Sequence, residues 1–358
     1  MAPDIELRPH QREAVAATTA TLRDHARASV IAACGTGKTL IAARTTARIA
    51  PSGRVLVLLP TLDLLSQTIR AWRAAGRKGT AIAVCSARQA LDHEPLGSDV
   101  PLTTDPAELT ALAASAHTGR VTAYATYASL PAVVAAHRDH HLPPWDLIVV
   151  DEAHRTAGRL GKAWAAVHHD DQVPAARRLY LTATPRIWDA DTDQDEDTEA
   201  LASMDDENLF GPVAYRLTLS DAIDLGLLAD YQILVPVITD ENLRDWLATG
   251  PGAGVDGLRL AGHQVAALRA IHDHQLRRVL TFHHRVADAR AFATTLHDTA
   301  ATLPDPLRPP DLWADWISGS HTPQVRRRLL LEFASHTDPH TPAVLSNARV
   351  LGEGIDII

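Results

Sequence analysis

Ser29-Val30-Ile31-Ala32-Ala33-Cys34-Gly35-Thr36-Gly37-Lys38-Thr39 is the stretch on which the fold turns. Residues 29–33 are a short apolar run with the β-branched character of a buried strand, and the alanine-rich residues 39–49 have the composition of a helix. The loop between them carries two glycines and a lysine. A strand that feeds a helix through such a loop is the setting of a phosphate-binding loop. Backbone N–H groups at a helix N-terminus converge on an anion, and glycine lets them come close to it. In that setting Gly35, Thr36 and Gly37 cradle the phosphates of ATP, Lys38 reaches the β- and γ-phosphates, and the Thr39 hydroxyl ligates Mg2+. The usual pattern opens with glycine where this chain has Ala32, but the core from Gly35 to Thr39 is intact.

Working outward, apolar runs bounded by turn residues recur at 54–59, 80–84, 120–124, 147–150 and 179–182, with a second helical segment at 62–75. Alternating buried strands and helices predict an α/β fold with a doubly wound parallel sheet. The 358 residues are too many for one ordinary domain and suit two. A later block repeats the alternation, with a helix at 260–274, a strand at 278–282, a helix at 286–296 and a strand at 343–346. The expected organisation is a first domain over 1–236, a glycine- and proline-containing linker over 237–256, and a second domain over 257–358.

The net charge of −9 runs against a nucleic-acid partner, because phosphate binding requires lysine and arginine. The acid is local, however. Residues 189–207 hold ten Asp or Glu and no Lys or Arg, which leaves 33 acidic against 34 basic residues elsewhere. That stretch reads as a solvated acidic insertion. No apolar stretch is long enough to span a membrane, and the N-terminus lacks a signal-peptide core. Cys34 and Cys85, the only cysteines, stand apart without ligand spacing, so a reducing cytoplasm is expected and neither a disulfide framework nor a zinc cluster is indicated. The pairs His140-His141, His168-His169 and His283-His284 lack metal-site spacing. Trp313 and Trp316 would share a face if their segment were helical, where core packing is favoured over base stacking.

A second chemical signal follows the apolar run 147–150, which delivers Asp151-Glu152-Ala153-His154 at its C-terminal end, where open α/β sheets place their ligands. Two adjacent carboxylates there predict an Asp151 that holds Mg2+ and a Glu152 that orients and deprotonates the attacking water. Gly35-Thr36-Gly37-Lys38-Thr39, Asp151-Glu152-Ala153-His154 and Thr182-Ala183-Thr184-Pro185 occur in the order of motifs I, II and III of superfamily 2 helicases. Along nearly its whole length the chain resembles the restriction-enzyme-like DEAD/DEAH group of that superfamily.

The resemblance implies two RecA-like P-loop domains that use ATP and Mg2+ to unwind or translocate along nucleic acid, DNA in preference to RNA. It implies that Gln11, in Leu7-Arg8-Pro9-His10-Gln11, contacts adenine. Thr61 and Gln67 fall in a segment similar to motif Ia, and Thr126 and Tyr127 in one similar to motif Ib, both of which touch the nucleic-acid backbone in the family. His154, Thr182 and Thr184 would couple nucleotide state to domain closure. Residues 279–285 are similar to motif IV, and Gly352-Glu353-Gly354-Ile355-Asp356 to motif V, with Gly354 and Asp356 on the nucleotide.

In the family a last motif, QxxGRxxR, follows motif V and supplies arginines to the transferring phosphate. Ile358 comes before any such motif, so the second domain is expected to be incomplete at its C-terminus, with further domains or subunits outside this chain. An arginine finger contributes about 10³–10⁵ in rate, so slow hydrolysis is expected. Helicase, translocase subunit of a restriction or defence system, and non-catalytic ATP- or DNA-binding remnant all remain open. A small-molecule kinase would have no need of the segments at 151–154 and 182–185.

Overall fold

The structure, a computed structural model, describes residues 5–86, 99–115, 119–159, 163–188, 201–235, 255–338, 340–348 and 350. The chain divides into two compact units, Met1–Tyr231 and Gln232–Ile358.

The first unit is built on a parallel eight-stranded sheet. Its strands are β1 (Arg27–Ala32), β2 (Arg54–Leu59), β3 (Thr80–Val84), β4 (Leu102–Thr103), β5 (Val121–Thr126), β6 (Leu147–Val150), β8 (Arg178–Thr182) and β10 (Val213–Leu217), in the order β10-β1-β8-β6-β2-β5-β3-β4. Two short strands, β7 (Gly158–Arg159) and β9 (Leu201–Ala202), pair antiparallel beside it. The apolar runs become central strands because they are buried on both faces. In β2, Val55, Val57 and Leu59 enter one core and Leu56 and Leu58 the other. β6 alternates likewise, Leu147 and Val149 against Ile148 and Val150. The period of two along a strand thus divides one apolar run between two cores.

Each core is closed by helices. α2 (Lys38–Ile49) and α3 (Leu62–Ala74) cover one face through Ala42, Ala43, Leu65, Ile69 and Trp72. Helices Pro106–Ala114 and Leu130–His140 cover the other through Leu109, Leu130, Val133 and Ala136. α1 (Pro9–Asp24) adds a small cluster in which Ala14 and Val15 meet Ile41 of α2.

The second unit has a parallel three-stranded sheet in the order β11-β13-β12, from β11 (Arg278–Phe282), β12 (Trp313–Ser318) and β13 (Ala343–Ala348). Helices Val255–His274, Val286–Thr302 and Pro323–Ser335 accompany it. The first of these begins earlier than the sequence predicts, inside the expected linker. The tryptophan pair also differs from expectation, since both lie on strand β12 and not on a helix. Three residues apart on a strand means opposite faces. Trp313 packs against Phe333 and His336, and Trp316 against His321 and under Arg290.

Of the acidic stretch, residues 189–200 lie outside the described residues. Its end is ordered: Leu201–Ala202 forms β9, Met204 is buried, and the Asp206 carboxylate caps the short helix Glu207–Phe210 by accepting from the Asn208 N–H at 2.9 Å. Among the described residues no helix is long and apolar enough to cross a membrane, and no cluster of three or more His, Cys, Asp or Glu is placed to hold a metal.

Candidate functional site

Because every strand of the large sheet is parallel, all of the loops that follow them emerge on one edge. The strand order sets their sequence along it: the loop after β1, then that after β8, then β6, β2 and β5. Residues 34–37, 183–185, 151–154, 60–61 and 126–129 therefore stand side by side in that order, although the chain reaches them in another.

The loop after β1 folds as a phosphate cradle. Gly35 and Gly37 take φ of +80° and +90°, in the left-handed region that a Cβ disfavours. A Cβ on Gly37 would also press on the Gln11 side-chain amide, which would have to give way. α2 starts at Lys38, and its first turn closes when the Leu40 and Ile41 N–H groups bond to the Gly37 carbonyl. Thr36 is buried, its hydroxyl donating to the Ala33 carbonyl at 2.7 Å. The Lys38 ammonium donates to the Ala32 carbonyl at 3.1 Å, and Thr39 sits half-buried in the first turn.

α1 holds the cradle from the side. His10 Nε2 donates to the Thr36 carbonyl at 2.9 Å and Gln11 Nε2 donates to the same oxygen at 3.1 Å. Gln11 Oε1 accepts the Arg8 N–H at 2.9 Å, so this buried amide is engaged at both ends as a brace of the loop. The resemblance pointed to Gln11 but not to His10. The signal for it was available, because a histidine beside Gln11 on the first turn of a helix reaches the same loop.

Asp151 and Glu152, both buried, follow β6. The Asp151 N–H bonds to the Leu58 carbonyl and the Glu152 N–H to Asp151 Oδ1, each at 3.0 Å. Glu152 has φ +49° and ψ +49°. The other described non-glycine residues at positive φ, His141 and Gln275, each end a helix, where that conformation is common. His154 ties this loop to β8: its Nδ1 lies 3.0 Å from Thr182 Oγ1, 3.5 Å from Thr184 Oγ1 and 3.5 Å from Glu152 Oε2. His154, Thr182 and Thr184, expected to couple nucleotide state to domain closure, are brought together.

The expected nucleic-acid residues divide. Thr61 caps α3, its hydroxyl accepting from the Leu64 N–H at 3.3 Å, and Gln67 is half-buried on the same helix. Thr126 Oγ1 is 3.0 Å from Ser129 Oγ, and both are nearly buried. Tyr127 departs from the expectation: its side chain is 1% exposed, its ring is 5.6 Å from that of Trp164, and its hydroxyl donates to the Asp151 carbonyl at 2.5 Å. Burial, reinforced by the Asp151 and Glu152 carboxylates, pushes the Tyr127 hydroxyl well above its ordinary range, which keeps it a donor. Gly354 and Asp356 lie outside the described residues.

A threonine hydroxyl and a buried carboxylate, with phosphate oxygens and water to complete the shell, are the hard oxygen donors that Mg2+ prefers. Thr39 and Asp151 fit that requirement, and the two left-handed glycines fit a polyphosphate.

Residues 4–187 match the family model described as type III restriction enzyme, res subunit. A protein described as a probable helicase of African swine fever virus is 25% identical over 362 residues, 99% of this chain and 36% of the viral protein. The endonuclease subunit of the type I restriction enzyme EcoAI from Escherichia coli is 32% identical over 113 residues, 32% of this chain and 12% of that subunit. Among solved structures, the ATP-dependent type ISP restriction-modification enzyme LlaBIII bound to DNA superposes with a TM-score of 0.80 at 23% identity, over 99% of this chain and 25% of that one. The chain spans about a third of the length of the viral helicase and less of the others. With its parallel sheets and the order of its loops, the chain belongs to the restriction-enzyme-like group of superfamily 2 helicases, in the type III restriction enzyme res-subunit family.

Proposed function

We propose that this chain is an ATP-driven DNA translocase motor of the kind restriction enzymes use, with ATP hydrolysis at the edge formed by the loops after β1, β6 and β8. The observation that carries the reading is the Glu152–His154–Thr182 contact set, which joins a water-activating carboxylate to the strand beside the phosphate loop. In this reading Gly35, Thr36 and Gly37 offer N–H groups to the phosphates and Lys38 exchanges the Ala32 carbonyl for a phosphate oxygen. Thr39 and Asp151 would hold Mg2+, which when bound offsets charge on the β- and γ-phosphates. Glu152 orients the attacking water and accepts its proton. Thr61 on the same edge, with Gln67 on the helix that follows it and the turn that begins at Thr126, would lie toward the DNA backbone.

DNA as the partner is supported by relatives whose descriptions name helicase, restriction and DNA, and the near-neutral charge outside residues 189–207 does not oppose it. Lys38→Ala is expected to weaken ATP binding at least tenfold, about what is lost with one charge-assisted contact. Glu152→Gln is expected to keep ATP binding and slow hydrolysis by roughly 10²–10⁴, the contribution of a general base. Titration with a fluorescent ATP analogue and a phosphate-release assay, with and without duplex DNA, check both. Retained affinity in the lysine variant would overturn the assignment.

A further inference from the structure

The peptide that joins Asp151 to Glu152 is fixed from both sides. Its carbonyl accepts from the Tyr127 hydroxyl and its N–H is held by Asp151 Oδ1. Glu152 beyond it has the left-handed φ and ψ that place its Oε2 beside His154. A non-glycine residue adopts that conformation only where its surroundings impose it. Tyr127 reaches this peptide from another loop, the segment directly after β5.

We propose that Tyr127 is a positioning residue for hydrolysis: its hydroxyl holds the Asp151–Glu152 peptide in the one orientation that aims both carboxylates, and links the loop at 126–129 to that orientation. This rests on the ATPase reading above. If the peptide turns over, the Glu152 N–H leaves Asp151 Oδ1, so the Mg2+-holding and water-activating groups are lost together. Thr126 and Ser129 lie on the same short turn, so a strand that shifts this turn moves the tyrosine with it. The ring and the hydroxyl have separable tasks. The ring packs against Trp164 in the core, whereas the hydroxyl alone meets the peptide.

Tyr127→Phe keeps the ring and removes the bond to the Asp151 carbonyl. In the full chain, affinity for a fluorescent ATP analogue in EDTA is expected to match the parent. The extra affinity conferred by Mg2+ is expected to fall about tenfold, with KM for MgATP rising in step, and kcat is expected to fall about tenfold. Equal Mg2+-dependent affinity in parent and variant would overturn the proposal. So would a loss of the same size in EDTA, which marks a general packing role. Failure of the parent chain to bind ATP, with Lys38→Ala indistinguishable from it, sinks the ATPase reading and this proposal together; a parent that binds normally confines any failure to Tyr127.

Discussion

At the scale of single residues, the loop 151–156 is braced at its far end as well as its near end. His168 Nε2 donates to the Thr156 carbonyl at 3.4 Å, while its Nδ1 lies 3.1 Å from the Tyr180 hydroxyl and its ring stacks on that of Tyr180. Burial lowers the His168 imidazole to about 4, with the neighbouring Arg27 and Arg178 guanidinium groups adding to the effect. A histidine held neutral in the fold but titrating near 6.5 when unfolded contributes stability that is complete above about pH 6.5. That contribution is lost as the pH falls toward 4. Between pH 7.5 and pH 5 the loss amounts to about 2 kcal/mol, or several degrees in Tm. Thermal scans over that range should show a smaller acid-induced drop in His168→Asn than in the parent. The cysteines give a second measurement. Cys34 is exposed immediately before Gly35, whereas burial pushes the Cys85 thiol up to about 11. Iodoacetamide should therefore modify Cys34 and spare Cys85, and MgATP should slow the reaction, as peptide mass mapping would show.

At the scale of elements, the strands were legible where burial on both faces left an unbroken apolar run. The runs at 54–59, 80–84 and 147–150 coincide with β2, β3 and β6, and that at 278–282 coincides with β11 although its residues are only partly buried or exposed. β10 was not legible: at the sheet margin Val213, Ala214, Tyr215 and Arg216 remain partly or fully exposed, so no apolar run marks it. β12 was not marked as a strand, because WADWIS has tryptophans at a spacing that also suits a helix, and its pairing with β13 decides for the strand. In the candidate site, the motif letters pointed to Lys38, Asp151 and Glu152, which follow β1 and β6 along one edge of the sheet. They gave no sign of Tyr127 reaching Asp151, a contact that depends on β2 separating β5 from β6 by one strand. The turn that launches β10 offers a test of packing at this scale. Gly211 has φ +70°, and a Cβ there would stand 2.3 Å from the Arg27 carbonyl carbon and oxygen. Gly211→Ala pits a side chain against backbone that cannot yield, so a loss of about 3 kcal/mol or more is expected in denaturant unfolding.

At the scale of the molecule, the two units have separate cores. The first is closed by the clusters on either face of its eight-stranded sheet, and the second by clusters around Leu268, Phe292, Ile317 and Phe333. Residues 1–231 expressed alone should therefore unfold cooperatively and bind MgATP with the same sensitivity to Lys38→Ala, as calorimetry and nucleotide titration would show. The sheet order has a further consequence, for biosynthesis. β1 pairs with β8 and β10, so the strand that carries the phosphate loop must wait for about 150 residues to be made before either neighbour emerges. At about 5–20 residues per second that is roughly 7–30 s on the ribosome. Throughout this interval Val30, Ile31 and Ala32 have no edge to join, which makes the nascent chain, long before it can hold a nucleotide, a client for chaperones that bind short apolar segments.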